Sequence, residues 1–312
     1  MRLRKALCAS TLALASCRAA TAPPLDLERM RTEGRVREQP PVHPLVWTTT
    51  GPNGGVPFVW GGDQADVAFT HARVLFVSMP RLVVHATDPR GRRTEFVLDT
   101  GTTWTSISTA SPLAEDVSVW EGSRVASRGS AAGRIAVLPV LQLGGLTGRD
   151  VEVAVVPRPH DLGKPGNLIG QDLLRGLLLR HRAGRWTLLR RSPEAAAADR
   201  PAFIVPLLAP GLPMVRVRDP SGAPRFALID TGAPMDIPTA RTSGGRWQLE
   251  GFPNALPLQA PEGTTDATAH LRVRDWPISL LIGLRSLSAA DWVLDLEAGE
   301  WRFLAPSADG AR

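Results

Sequence analysis

The strongest constraint on how this chain folds is an internal repeat. Residues 80–101 (PRLVVHATDPRGRRTEFVLDTG) align without gaps to residues 211–232 (GLPMVRVRDPSGAPRFALIDTG). Asp88-Pro89 falls on Asp219-Pro220, Gly91 on Gly222, and Asp99-Thr100-Gly101 on Asp230-Thr231-Gly232. Further on, NLIGQDLL (167–174) answers to LLIGLRSL (280–287), and LLLRHRAGRWTLL (177–189) to WVLDLEAGEWRFL (292–304). A lone Asp-Thr-Gly decides little, since a given tripeptide arises by chance in roughly one chain in twenty-five of this size. Several segments recurring in one order predict two copies of one folding unit. Each copy reads as strand, turn, strand and then a carboxylate: a hairpin whose second, apolar strand delivers an Asp.

Composition agrees with short strands and many turns. Among 312 residues there are 29 glycines and 28 prolines, only 8 phenylalanines and no tyrosine. The fold class predicted is all-β with internal duplication. The formal charge of +6 drops to +3 once Arg2, Arg4 and Lys5 are set aside, and the remaining arginines are scattered among acids. That pattern argues against a nucleic-acid surface.

The first residues, MRLRKALCASTLALASC, have a basic start, an apolar stretch too short to span a bilayer, and small residues before a cysteine. They read as a secretory signal. The ending Leu14-Ala15-Ser16-Cys17 resembles the lipobox of bacterial lipoproteins, which implies lipidation of Cys17 and an exported protein at the outer membrane, facing the periplasm or the cell surface. The other reading is a plain signal peptide cleaved a few residues later, around ATA. Cys8 and Cys17 both lie in this segment, so no disulfide or thiol chemistry is expected in the mature fold.

The chain then divides into a signal (1–17), a tether (18–46), an unassigned extension (47–74), a first lobe (75–191), a linker (192–200), a second lobe (201–305) and a tail (306–312). The tether is charged, proline-bearing and without apolar periodicity. Trp47 to Thr70, rich in Gly and Trp, reads either as an extra edge hairpin or as a loop covering the fold. The linker alanines are compatible with a turn of helix.

Two apolar-apolar-Asp-Thr-Gly segments, each followed by apolar-apolar-Gly, resemble the retropepsin-like and pepsin-like aspartic proteases. The resemblance spans about Leu75 to Leu304 and implies a two-lobed β-barrel fold with both halves in one chain, hence a monomer acting as a pseudo-dimer. It implies an endopeptidase acting on peptides or proteins, with Asp99 and Asp230 as the catalytic pair and no metal or cofactor. The chemistry explains the pairing: one carboxyl takes a proton from water while the other gives one to the carbonyl, and like charges in contact share a single proton. By the same resemblance Thr100 and Thr231 interlock beneath the carboxylates. Gly101 and Gly232 permit the turn and leave their N–H groups for the Asp oxygens. Gly170 and Gly283 let a strand pass close behind each Asp loop.

The second half departs from the family pattern. Pro234 follows Ala233, Arg285 stands where Asp172 is the usual acid or amide, and Asp236 is an acid with no counterpart in the first half. The acid–arginine pair of viral dimers is replaced by Thr103 with Gln171 and by Pro234 with Leu284. A flap is expected at Trp120 to Ile135, where Trp120 reads either as its aromatic or as a core residue. The interval from triplet to glycine is 18 residues shorter in the second half, so a single flap is expected. The histidines show no metal spacing, and no Gly-x-Ser-x-Gly elbow is present. The competing reading is a catalytically silent envelope lipoprotein that binds peptides or a protein partner in the same cleft.

Overall fold

Both copies of the repeat fold as hairpins in a computed structural model that describes residues 36–38, 60–74, 77–115, 117, 119–126, 129–156, 166–208, 211–239, 244–260, 272–273 and 276–305. Val77–Thr87 pairs antiparallel with Arg93–Leu98, and Met214–Arg218 with Pro224–Ile229. The recurring Asp-Pro-x-Gly is the turn between them. Asp88 Oδ1 accepts from the N–H groups of Arg90 (2.9 Å) and Arg92 (2.8 Å), while Oδ2 accepts from Arg92 Nε (2.6 Å). Asp219 repeats this with Ser221 N (2.9 Å), Ala223 N (3.0 Å) and Arg225 Nε (3.0 Å). Gly91 (φ 78°) and Gly222 (φ 85°) take the left-handed conformation that closes the turn.

A second strand then slides in beside each delivery strand. Asn167–Ile169 runs parallel to Arg93–Leu98, with Ile169 opposite Leu98. Leu280–Ile282 runs parallel to Pro224–Ile229, with Ile282 opposite Ile229. On its other side each inserted strand meets the segment returning from the Asp turn, at Ser106 in one half and Ile237–Pro238 in the other. The ends of these strands next to the Asp turns are apolar because both faces are covered there, and Phe96, Leu98, Ile169, Ile229 and Ile282 are all fully buried.

The halves are joined by one shared antiparallel sheet. Its order is Gln64–Val74, Arg185–Arg190, Leu177–Arg182, Trp292–Asp295, Glu300–Leu304, Pro201–Pro206: three strands from each half, in mirrored sequence. Trp186 and Trp292 meet edge to face across the seam with centroids 5.3 Å apart, and Trp292 meets Trp301 the same way at 5.9 Å. Such pairs add about 0.5–1.5 kcal/mol each beyond simple burial. Asp295, wholly buried, is matched by Arg191 from the first half (3.1 Å) and by Arg302 (3.5 Å). The linker contains a helix, Pro193–Ala198, whose first turn is capped by Ser192 Oγ accepting from Ala195 N (3.1 Å).

Two boundaries differ from the sequence reading. Residues 64–74 are neither an edge hairpin nor a covering loop but an interior strand, the first-half counterpart of Pro201–Pro206. Ala65 to Val67 pair with Arg185–Arg190, whereas Ala68 to Val74 pair with Val77–Thr87. The strand changes sheets midway, so Ala65 and Val67 are buried while Phe69 is 44% exposed, and no single alternation runs through it. Within the stretch read as a tether, Val36–Glu38 pairs in parallel with Val119–Glu121, an edge addition made by backbone groups that leaves no apolar signature.

Candidate active site

Each Asp sits where its delivery strand ends, and the inserted strand holds it by the backbone. Asp99 N–H donates to Ile169 O (3.0 Å) and Asp230 N–H to Ile282 O (2.9 Å). Each carboxylate then turns back onto its own loop. Asp99 Oδ1 accepts from Gly101 N (2.9 Å) and Thr102 N (3.2 Å); Asp230 Oδ1 accepts from Gly232 N (2.9 Å) and Ala233 N (3.2 Å). The departure at Pro234 leaves this cradle whole, because the last donor is Ala233.

The two loops are locked together by their threonines. Thr100 Oγ1 donates to Ile229 O (2.7 Å) and accepts from Thr231 N (3.0 Å). Thr231 Oγ1 donates to Leu98 O (2.9 Å) and accepts from Thr100 N (3.0 Å). Both threonines have no exposed surface, so each hydroxyl must find partners within the protein, and each finds them across the seam.

This lock brings the half-buried carboxyls of Asp99 and Asp230 into hydrogen-bond contact. Burial raises the Asp99 carboxyl above its ordinary range. Burial, and after it the charge of Asp99, pushes Asp230 up to about 8. Two carboxyls in such contact favour one shared proton over two charges and titrate as a unit.

The glycines of the triplets have a different reason from the turn geometry expected of them. Neither Gly101 nor Gly232 adopts a positive φ. A Cβ on Gly101 would lie 2.6 Å from Asp230 Cγ, and one on Gly232 would lie 2.6 Å from Asp99 Cγ. Each glycine is the gap into which the opposite carboxyl fits. Gly170 and Gly283 do act as close-packing positions: a Cβ on Gly170 would come within 2.6 Å of the Trp104 backbone, and one on Gly283 would overlap the Met235 backbone.

Behind each cradle lies a second, smaller lock, and here the halves trade residues. In the first half Thr105 Oγ1 accepts from Gly170 N (3.0 Å) and donates to Asp172 Oδ1 (2.7 Å). In the second half the place of Thr105 is taken by Asp236, whose Oδ1 accepts from Gly283 N (3.0 Å). Its Oδ2 accepts from Gln259 N (2.9 Å) and Ser286 Oγ (2.7 Å). The acid has moved from the short helix after the glycine (Gln171–Leu174 in the first half, Leu284–Leu287 in the second) to the loop, and a serine one residue along that helix supplies the hydroxyl. Asp236 is thus not an acid without a counterpart but the inverted form of one, 3% exposed, its carboxyl raised first of all by burial. Gln171, read only as a departure from the viral pattern, donates from Nε2 to Thr100 O (2.7 Å) and so braces the first turn from below.

The flap candidate is a long hairpin, Val119–Ala126 against Gly129–Leu143, with Trp120 opposite Ile135; the Trp120 side chain and residues 127–128 lie outside the described residues. Cys17 lies outside them too. Among the described residues no group of His, Cys, Asp and Glu could hold a metal ion.

No protein-family model and no curated protein matches this sequence. Among solved structures, the chain is similar to an aspartic proteinase from Irpex lacteus, with a TM-score of 0.47 and 12% identity over 81% of this chain and 99% of that one.

Proposed function

We propose that this chain is an aspartic endopeptidase. The observation that carries the proposal is the close approach of the Asp99 and Asp230 carboxyls, each cradled by two N–H donors and locked to the other through Thr100 and Thr231. In this reading a water held between the carboxyls attacks the peptide carbonyl. The ionised carboxyl takes the water's proton as the C–O bond forms, and the protonated one gives its proton to the carbonyl oxygen. Collapse of the tetrahedral intermediate then breaks the C–N bond: the carboxyl that took the water's proton gives it to the leaving amine, and the other carboxylate takes the proton of a diol hydroxyl as the C=O re-forms, restoring the singly protonated pair. Both carboxyls come from one chain, which supports a site complete in the monomer. The hairpin Val119–Leu143 closes over the substrate and excludes water.

Incubation with a mixed peptide library from pH 4 to 7, with and without pepstatin, tests this reading. Pepstatin-sensitive internal cleavage is expected. Peptide binding without cleavage at any pH would replace it with the silent peptide-binding reading. We further propose export with lipid attachment at Cys17; fatty-acid labelling should vanish in Cys17→Ser, and undiminished labelling would refute it.

A further inference from the structure

The inverted lock of the second half has a consequence for the molecular surface. In the first half the second residue after the glycine, Asp172, is turned inward onto Thr105. With Asp236 and Ser286 filling that role in the second half, the matching residue, Arg285, is released to the surface and is exposed. Its charge is felt by the buried Asp236 carboxyl, but among the described residues no carboxylate forms a close ion pair with its guanidinium.

Arg285 lines a groove of about 330 Å³ between the halves. One wall is the first-half hairpin with Phe69, Met79 and Pro80; the other is Pro234, Met235 and Leu284. Phe69 (44% exposed) and Met235 (40%) are two of four large apolar side chains that are exposed among the described residues. The groove starts one residue past the cradle of the catalytic pair. Ala233 N holds Asp230 Oδ1, Ala233 O accepts from Leu284 N (2.8 Å), and Pro234 O accepts from Arg285 N (3.3 Å). Its volume falls at the small end of ligand sites, about 300–1,000 Å³, which suits one or two side chains.

We propose that this groove is a substrate subsite for a bulky apolar residue with an acidic residue beside it, and that Arg285 is the specificity-determining residue. The apolar walls remove the first side chain from water, and the exposed Arg285 guanidinium pairs with the carboxylate of the second. The proposal rests on the peptide-cleaving reading for its substrate, yet binding tests it separately.

Three fluorescent peptides that share a Phe and differ in its neighbour, Glu, Gln or Lys, are titrated against the protein by anisotropy at fixed ionic strength. The Glu peptide should bind roughly threefold to fivefold more tightly than the Gln peptide, the range an exposed ion pair supports, with Lys weakest. Replacing the Phe by Ser should weaken all three by about tenfold or more. Arg285→Gln should collapse the order and Arg285→Glu reverse it. Should either variant fail to fold, the wild-type preference for Glu must shrink as salt is raised from 50 to 500 mM. Equal binding of the three peptides, no binding of any, or an order that survives in Arg285→Gln or in high salt overturns the assignment. Cleavage of all three without preference sinks the subsite alone, whereas ordered binding without cleavage sinks the catalytic reading alone.

Discussion

Gly232 shows how tightly the candidate site constrains single residues. The space its missing side chain leaves is filled by Asp99 Cγ, so even one methyl group must displace a carboxyl. Gly232→Ala is therefore expected to lower turnover at least about 100-fold, a general acid–base loss, while costing about 1–3 kcal/mol of stability from overpacking. Kinetics and chemical denaturation of the purified variant check both parts, and Gly91→Ala serves as a contrast. At Gly91 the strain comes from φ 78° and nothing lies near the added Cβ, so stability should fall with activity per folded molecule retained. Equal activity losses at the two glycines would contradict this division. Asp99, Thr100 and Gly101 were legible in the sequence because the contacts they need are encoded in one tripeptide written twice. The physical reason for each glycine was not legible, since the atom it avoids belongs to the other half, 129 or more residues away in the chain.

At the scale of elements, the lock behind each cradle holds the glycine N–H next to the carbonyl that receives the N–H of Asp99 or Asp230. Gly170 and Gly283 follow Ile169 and Ile282 directly, so slack in either lock reaches the cradle through one peptide unit. Asp236→Thr leaves the N–H of Gln259 without its acceptor and the hydroxyl of Ser286 with only Pro257 O, and should cost about 1–3 kcal/mol. Adding Arg285→Asp rebuilds the first-half arrangement of hydroxyl on the loop and acid on the helix, and should recover at least half of that loss. Urea denaturation of the single and double variants decides it. Additive damage would mean the two locks are not equivalent. The sequence hid this equivalence because the acid and the hydroxyl exchange sides between the halves, and column-by-column alignment sets Asp172 against Arg285. It hid the Gln64–Val74 strand for a related reason, a change of buried face midway. The Asp-Pro hairpins, by contrast, close on contacts within a few residues, and they stood out in full.

For the whole molecule, the acids removed in part or whole from water set the dependence of stability on pH. Asp99, Asp230 and Asp236 all hold their protons more tightly in the folded chain, each through burial first. A carboxyl raised on folding contributes stability that is complete below its unfolded value and is lost as pH rises through its folded value. For Asp230 that window runs from 3.8 to about 8. Asp88 and Asp219 have the opposite sign. Burial alone would raise them, but hydrogen bonds from Arg92 and Arg90 on one and from Ser221, Arg225 and Ala223 on the other outweigh it. Their contribution is present above 3.8 and is lost as pH falls below it. Unfolding free energy should therefore climb as pH drops from 8 toward 4 and decline under more acid conditions. A steady rise from pH 4 to pH 8 would show that the acids are not held as described.

Asp99 and Asp230, delivered by two copies of one unit, are proposed to act as a single proton-sharing group. The most direct measurement is the turnover of Asp99→Asn, Asp230→Asn and the double variant on one peptide substrate, with folding verified by circular dichroism. Each single variant should lose about 10²- to 10⁴-fold or more, and the double variant should be scarcely slower than either, because removing one carboxyl already leaves no shared proton. If Asp230→Asn keeps wild-type turnover while Asp99→Asn does not, or if the two losses multiply in the double variant, the carboxyls do not work as one group and the account is wrong.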